Sequence, residues 1–506
     1  MFIGDILVAH GLVTPADIRT ALELQRTRGG ALGDCLIQLE RLTPEALEAV
    51  MRAAPPPPRS LAETGIPIPD LLSLMVKAMH ASGEVTASAI GERLKLPPRA
   101  VQELFDEAEE RRLLDLLGAV RQSGSTEIRY ALTDKGVQWA RTASDQNEYI
   151  GPAPVTLAAY REQILRQRLA NERVTRARLD EALTGLVVPD VLVRELGPAV
   201  NSGRSVLLYG PPGNGKTTIG ERIGNLFRDV IYIPYCFEVE GQIIRVFDPV
   251  VHRPLESQLQ GDVEAVGLRR EDLDHRWVAC WRPLVITGGE LTLDMLDLKF
   301  DPHAKFYEAP LHIRALGGVF LIDDFGRQLV SPTALLNRWI VPLESRVEYL
   351  KLHTGKTFQL PFDELVIFST NLGPSSLMDP AFLRRIPYKI EVTAPTAEEY
   401  RSIFHAVARP IGLALDDATI DGVIAELRVR NDFPLASYQP RFIVDQILAQ
   451  AKFEGAEAEA RADYVSLALS NLHTSDTPGF RHRPAANGPD GGGEARLDTV
   501  TSFAAE

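Results

Sequence analysis

The sequence predicts an α/β chain in which a parallel-sheet core carries a phosphate-binding loop (P-loop) beside a helical lid, with a winged-helix domain and a small all-α domain ahead of it. Three observations predict this. An apolar strand, Ser205 to Tyr209, runs into Gly210-x-x-x-x-Gly215-Lys216-Thr217 and then a helix with Ile219, Ile223, Leu226 and Phe227 on one face. A second apolar run, "GGVFLIDD", ends in Asp323 and Asp324, so both carboxylates emerge at the carboxyl edge of a buried strand, where parallel sheets hold ligands. Residues 396–472 read as amphipathic helices with little strand signal.

At 506 residues the chain exceeds what one core organises, and about three domains are expected. Its 54 basic and 68 acidic side chains give a net charge of −14, and 45% of residues are hydrophobic, a soluble and acidic composition without the positive excess that attracts nucleic acid. No apolar run reaches the roughly eighteen residues of a membrane span. The opening "MFIGDILVAHGL" has an early Asp5 and no basic leader, so neither a span nor a secretion signal is expected. Cys35, Cys236 and Cys280 are far apart, with no CxxC spacing, and are expected as core thiols in a reducing cytoplasm.

Residues 1–54 contain a repeat with a period of 29, in which Gly4 matches Gly33, Leu7 matches Leu36, and Thr14-Pro15 matches Thr43-Pro44. Each copy reads as two helices, with Thr-Pro as N-cap and first residue of the second. This duplicated helical domain resembles the N-terminal domain of type II secretion and type IV pilus assembly ATPases, some of which bind cyclic di-GMP through a motif that begins with Arg and Leu-Gly and ends in Gln. The first copy keeps Gly4, Gly11 and Gln25 but starts with Phe2; the second keeps Leu32 and Gly33, with Ala31, Glu40 and Ala54 at the other marker positions. The arginines that would meet phosphate are missing, so packing or docking is expected, with cyclic di-GMP binding as the alternative.

Residues 55–64, with "PPPP" at their start, are expected as a stiff extended linker. Residues 65–145 give three amphipathic helices and two strands about a Ser-Gly-Ser turn, a winged-helix order. Its recognition helix is acidic: residues 98–112 hold Arg99, Arg111 and Arg112 against five acids, a net of −2. Phosphates repel such a helix, so protein docking is expected ahead of DNA binding. Residues 146–195 read as a helical connector, and residues 473–506, rich in Gly and Pro, as a disordered tail.

Residues 196–395 carry the chemistry. Glycines at 210, 213 and 215 let the loop Gly210-Pro211-Pro212-Gly213-Asn214-Gly215 turn its N–H groups towards phosphate oxygens beside the positive end of the next helix. Lys216 supplies a point charge, Thr217 a hard oxygen ligand for Mg²⁺, and Thr218 completes the turn. Asp323, 107 positions after Lys216, is placed to hold the Mg²⁺ and Asp324 to polarise an attacking water, with ATP as the nucleotide. Many nucleotide-hydrolysing motors have glutamate where Asp324 stands, one methylene longer. "LIDDFG" resembles the segment in helicase-loader and transposition-helper ATPases in which paired aspartates serve a hydrolysing site, so slow hydrolysis is expected.

Further along, two strands around His353-Thr354-Gly355-Lys356 precede a buried strand that ends at Asn371. This order resembles the AAA+ ATPases. The resemblance implies that Asn371 is sensor 1, which orients water near the γ-phosphate, and that the hairpin is a pre-sensor 1 insertion. It implies that Arg385, or else Arg384, reaches a neighbouring subunit's nucleotide, and that Arg441 in "YQPRFIVDQIL" is sensor 2 on the lid. From the winged helix through "FLIDDFGRQLVSPTALLNRWIVPLESR" the chain resembles bacterial AAA+ proteins labelled as ATPases with chaperone activity. That implies a homo-oligomeric ring, expected as a hexamer, remodelling a protein client, and the first domain's relatives point to a secretion or pilus system. The alternatives are a nucleotide-gated winged-helix transcriptional regulator and an ATP-binding scaffold without turnover. Residues 228–318 form a long interval, with a strand pair about Glu240-Gly241 and a second stretch, "GGELTLDMLDLKFDPHAKFYEAPL", expected to face the client.

Overall fold

The computed structural model describes residues 4, 7–8, 11–28, 32–83, 85–122, 125–255, 273–374, 380–429 and 434–472. The expected tail at 473–506 lies outside the described residues, as do Phe2 and Ala31. The chain divides into two compact units, residues 1–441 and 442–506.

The first unit opens with helices α1 (Pro15–Arg28), α2 (Leu32–Gln38) and α3 (Pro44–Ala53). Both Thr-Pro pairs cap helices: Thr14 Oγ1 accepts from Asp17 N and Thr43 Oγ1 from Ala46 N, each at 3.2 Å. The prolines that follow are extended but not free. Pro55 and Pro58 are buried, and the Pro55 carbonyl accepts from Asp274 N at 3.1 Å, because a proline without an N–H still offers its carbonyl and an apolar ring.

Next come α4 (Ile68–Ser82), β1 (Val85–Thr86), α5 (Ala87–Leu94), α6 (Pro98–Glu110), β2 (Leu114–Gln122), β3 (Ser125–Leu132) and α7 (Asp134–Gln146). The strands form an antiparallel sheet of order β1-β3-β2. On α6 the apolar residues recur at helical spacing, so Val101, Leu104, Phe105 and Ala108 are buried and the acids stay at its outer face.

The connector is not wholly helical. It contributes β4 (Val155–Thr156), α8 (Leu157–Arg166), α9 (Arg176–Ala182) and the start of α10 (Asp190–Ser202). The remaining elements of the core are β5 (Val206–Tyr209), α11 (Lys216–Gly224), β6 (Val230–Pro234), β7 (Cys236–Val239), β8 (Gln242–Arg245), β9 (Trp277–Trp281), β10 (Leu284–Thr287), β11 (Lys299–Phe300), β12 (Tyr307–Glu308), α12 (Leu311–Arg314), β13 (Val319–Ile322), α13 (Pro332–Arg338), α14 (Ile340–Ser345), β14 (Val347–Lys351), β15 (Thr357–Pro361), β16 (Leu365–Thr370), α15 (Pro380–Leu383) and β17 (Tyr388–Glu391).

One sheet is all parallel, in the order β10-β13-β16-β5-β17. Its middle strands β13 and β16 are buried along their whole length, as expected of a sheet covered on both faces. A second sheet has the order β11-β12-β8-β7-β4. Its β7–β8 hairpin turns at Glu240 (φ 54°) and Gly241 (φ 76°), the positive pair that a tight hairpin requires.

Part of the stretch expected to face a client runs through this sheet, as the edge strand β11 and the interior strand β12. β12 lies between β11 and β8, and Tyr307 is 1% exposed. Phe300 and Tyr307 stack on His353 at the tip of the β14–β15 hairpin, whereas Met295 of the same stretch is 39% exposed. The same module holds the preceding domain: Tyr149 packs edge-on against Phe306 at 5.7 Å, and its hydroxyl meets the buried Cys236 Sγ at 3.2 Å.

After β17 the first unit has α16 (Ala397–Ala408), entered through a Thr396–Glu399 capping box, and α17 (Asp417–Val429). The boundary between the units falls inside α18 (Gln439–Glu454). In the second unit α19 (Ala462–Leu472) lies beside the later turns of α18, with Asn471 Nδ2 donating to Gln446 Oε1 at 3.1 Å.

Candidate nucleotide site

β5 delivers the chain to the loop at the carboxyl edge of the parallel sheet. Gly210 turns at φ +142°, and a Cβ there would stand 2.3 Å from the Val392 carbonyl oxygen, so only glycine passes beside the residue that follows β17. Gly215, at φ +81°, starts α11, whose N-terminus has no side-chain cap and leaves its amides open to an anion.

Lys216 is 6% exposed, and its Nζ donates to the carbonyls of Gly210 at 2.9 Å and Pro211 at 2.8 Å. Burial lowers its pKa, and the carboxylates of Asp323 and Asp324 pull it partly back. Thr217 Oγ1 donates to Asp323 Oδ2 at 2.8 Å. Residues far apart in sequence thus set a hydroxyl and a carboxylate side by side, the hard oxygen pair that suits Mg²⁺.

The backbone at Asp324 leaves the strand in the left-handed region, φ 46°. Two bonds to β16 fix the next residue: Phe325 N donates to the Ser369 carbonyl and Thr370 Oγ1 to the Phe325 carbonyl, each at 2.7 Å. Gln328 Nε2 reaches back to the carbonyls of Asp323 at 3.1 Å and Asp324 at 3.3 Å. Asn371 Nδ2 then donates to Asp324 Oδ1 at 3.2 Å.

A cavity of about 460 Å³ unites Gly213 to Thr218, Asp323, Asp324 and Asn371. That volume lies within the usual range for a small-molecule site. Its lining also has an apolar part: Leu186, Val187 and Val188 ahead of α10, and Ile403 and Val407 of α16. Sequence reading missed this wall, because "GLVV" looks like any short apolar run until α16 is set opposite it.

Other expected residues sit elsewhere. Pro211 and Pro212 are exposed and do not line the cavity. Arg441 is exposed on the first turn of α18 and also lies outside the lining, whereas Ser437 and Tyr438 just before it are part of the wall. Arg384 is exposed; Arg385 is half-buried and pairs with Glu344 at 3.0 Å. Both arginines precede β17, whose Tyr388 is level with Val206 at the start of β5, and the Arg385 carbonyl accepts from Ser205 Oγ at 3.3 Å. They therefore stand at the amino edge of the sheet, a strand's length of roughly 13 Å from the loop, and cannot serve the cavity of their own chain.

The profile of a domain family described only as a domain of unknown function, DUF8689, matches residues 396–471. No curated protein resembles the chain closely enough to count as a match. Among solved structures, the chain is similar to the RuvB Holliday junction branch migration motor of Thermotoga maritima, at 16% identity, 61% of this chain, 73% of that one and a TM-score of 0.31. It is also similar to NtrX from Brucella abortus in complex with ADP, at 12% identity, 68% of this chain, 69% of that one and a TM-score of 0.36. At such identities the chemistry of the site rests on the chain's own residues.

Proposed function

We propose that the chain is an AAA+ ATPase that binds Mg-ATP in the cavity above the parallel sheet and hydrolyses it. The observation that carries this reading is the 2.8 Å hydrogen bond from Thr217 to Asp323, which sets the two expected metal ligands together beside the loop's lysine. Lys216 and the loop amides hold the phosphates, Thr217 and Asp323 hold Mg²⁺, and the apolar part of the lining receives the base. The metal would neutralise charge on the phosphate oxygens. Asp324, oriented by Asn371, accepts a proton from the attacking water.

Arg385 and Arg384 at the opposite sheet edge suit a ring, a hexamer in this reading, in which each copy completes its neighbour's site. The three-stranded domain at 65–145 acts as a winged helix that docks protein, since α6 carries acids on its outer face, and the first domain serves as a second docking module. A protein client, linked to a secretion or pilus system, is what such a ring would remodel. Cyclic di-GMP stays a secondary ligand for the first domain, whose marker arginines are missing.

The test measures Mg-ATP affinity and phosphate release for wild type, Lys216→Ala and Asp324→Asn. Wild type is expected to bind and turn over, Lys216→Ala to lose binding, and Asp324→Asn to bind but release phosphate about 10²–10⁴-fold more slowly. Equal background release in all three would overturn hydrolysis, and absence of binding in wild type would overturn the site.

A further inference from the structure

The loop residue Asn214 is 6% exposed and does something that a phosphate cradle alone does not require. Its Oδ1 accepts from Ser437 N at 3.1 Å. One residue away, the Gly213 carbonyl accepts from Tyr438 N at 2.9 Å. Two successive amides ahead of α18 thus bind two successive residues of the loop. The contact is close: Gly213 has φ +78°, and a Cβ there would lie 2.3 Å from the Tyr438 ring.

The donor segment is itself braced. Gln439, 1% exposed, accepts through Oε1 from Ala436 N at 3.0 Å and from the buried Tyr400 hydroxyl of α16 at 3.1 Å. Its Nε2 donates to the Pro434 carbonyl at 3.2 Å. A continuous path therefore runs from α16 through Gln439 to the phosphate loop.

The geometry of one peptide unit turns this contact into a function. The Gly213 carbonyl and the Asn214 N–H belong to the same planar trans peptide, so they point in opposite directions. Holding the carbonyl against Tyr438 aims the Asn214 N–H away from that segment, and this N–H donates to no partner among the described residues. Asn214 Nδ2 is likewise buried without a partner. The loop thus presents two donors that are oriented and unused.

We infer that Asn214 is a positioning residue: with the Ser437–Tyr438 backbone it forms a latch that pre-aims a loop amide at the phosphates. The inference rests on the nucleotide reading of the cavity. Loss of the latch leaves the loop free to turn that amide away, which weakens ground-state and transition-state binding alike, so KM rises while kcat holds.

The experiment compares wild type, Asn214→Ala and Ser437→Pro, the last lacking the N–H that Asn214 accepts. Read-outs are affinity for a fluorescent ATP analogue with Mg²⁺, steady-state kinetics, and amide hydrogen exchange over residues 434–441 without nucleotide. Asn214→Ala is expected to bind about 3- to 10-fold more weakly, as one hydrogen bond would give, with kcat within twofold and faster exchange at Ser437 and Tyr438. The double variant should bind no more weakly than the worse single variant. Wild-type affinity and unchanged exchange in Asn214→Ala would overturn the latch, even if Ser437→Pro fails to fold. A wild type that binds no nucleotide would sink the reading beneath it, while the exchange measurement, made without ligand, still decides whether the latch exists.

Discussion

Asn371 Nδ2 donates to Asp324 Oδ1 at 3.2 Å, from the residue that follows β16 to the second residue beyond the neighbouring β13. The bond bears on how Asp324, the proposed water-activating acid, holds its carboxylate. Asp324 has φ 46°, a region in which Asp is enriched over bulkier residues because its short polar side chain fits there. The left-handed backbone at Asp324, with the bond from Asn371, sets where its carboxylate sits. Asp324→Glu is therefore expected to lower phosphate release at saturating Mg-ATP, by up to roughly a hundredfold for an ångström of misplacement. Turnover equal to or above wild type would refute this account.

Thr217 and Asp323 should respond to chemistry rather than to shape. Thr217→Ser keeps the hydroxyl and should hold Mg-ATP affinity within about threefold, whereas the isosteric Thr217→Val removes the proposed oxygen ligand and should abolish the gain in affinity that Mg²⁺ confers. Titrating nucleotide with and without Mg²⁺ for the three proteins checks this.

Arg385 and Lys216 lie on opposite edges of one sheet, so they can meet only between copies. Arg385→Ala should bind Mg-ATP like wild type yet lose turnover, and so should fail for a different reason from Lys216→Ala. Equal mixing of the two inactive variants should restore about a quarter of wild-type turnover, the fraction of interfaces that pair an intact loop with an intact arginine in a cyclic assembly. No recovery on mixing, in proteins shown to co-assemble, would remove Arg385 from the site.

Glu364 is 0% exposed, and neither carboxyl oxygen has a hydrogen-bond partner among the described residues. Burial pushes its pKa well above the usual carboxylate range; Arg346 pulls back, and Glu348 and Asp363 push further. The folded protein thus holds this proton more tightly than an unfolded glutamate with a pKa of about 4.3, so stability falls as pH rises from there towards the raised value. Glu364→Met removes the unsatisfied group and should raise stability by about 1–3 kcal/mol, more at pH 8 than at pH 5. Melting both proteins at the two pH values checks the sign.

Much of the architecture is legible in short windows. The Thr14 and Thr43 caps, the Glu240-Gly241 turn and the Gly210–Thr217 loop each depend on backbone conformations and bonds spanning a few residues. The connector's short strand shows the opposite case. Val155 and Thr156 are a strand only because β7, some eighty residues on, offers an edge to pair with. The same holds for "FYE", which becomes an interior strand beside β8.

The sequence alone determined that a glycine-rich turn, a lysine, a threonine and a strand-end acid pair exist, since local sterics and apolar runs dictate each of them. The tertiary structure decided what they face. It inserted β16 between β5 and β13, which brought Asn371 to Asp324, and it sent Arg385 to the far edge. It also laid Tyr438 on Gly213. Such pairings are chosen by burial and hydrogen bonding summed over the whole fold, and that sum leaves no mark in any single stretch of chain.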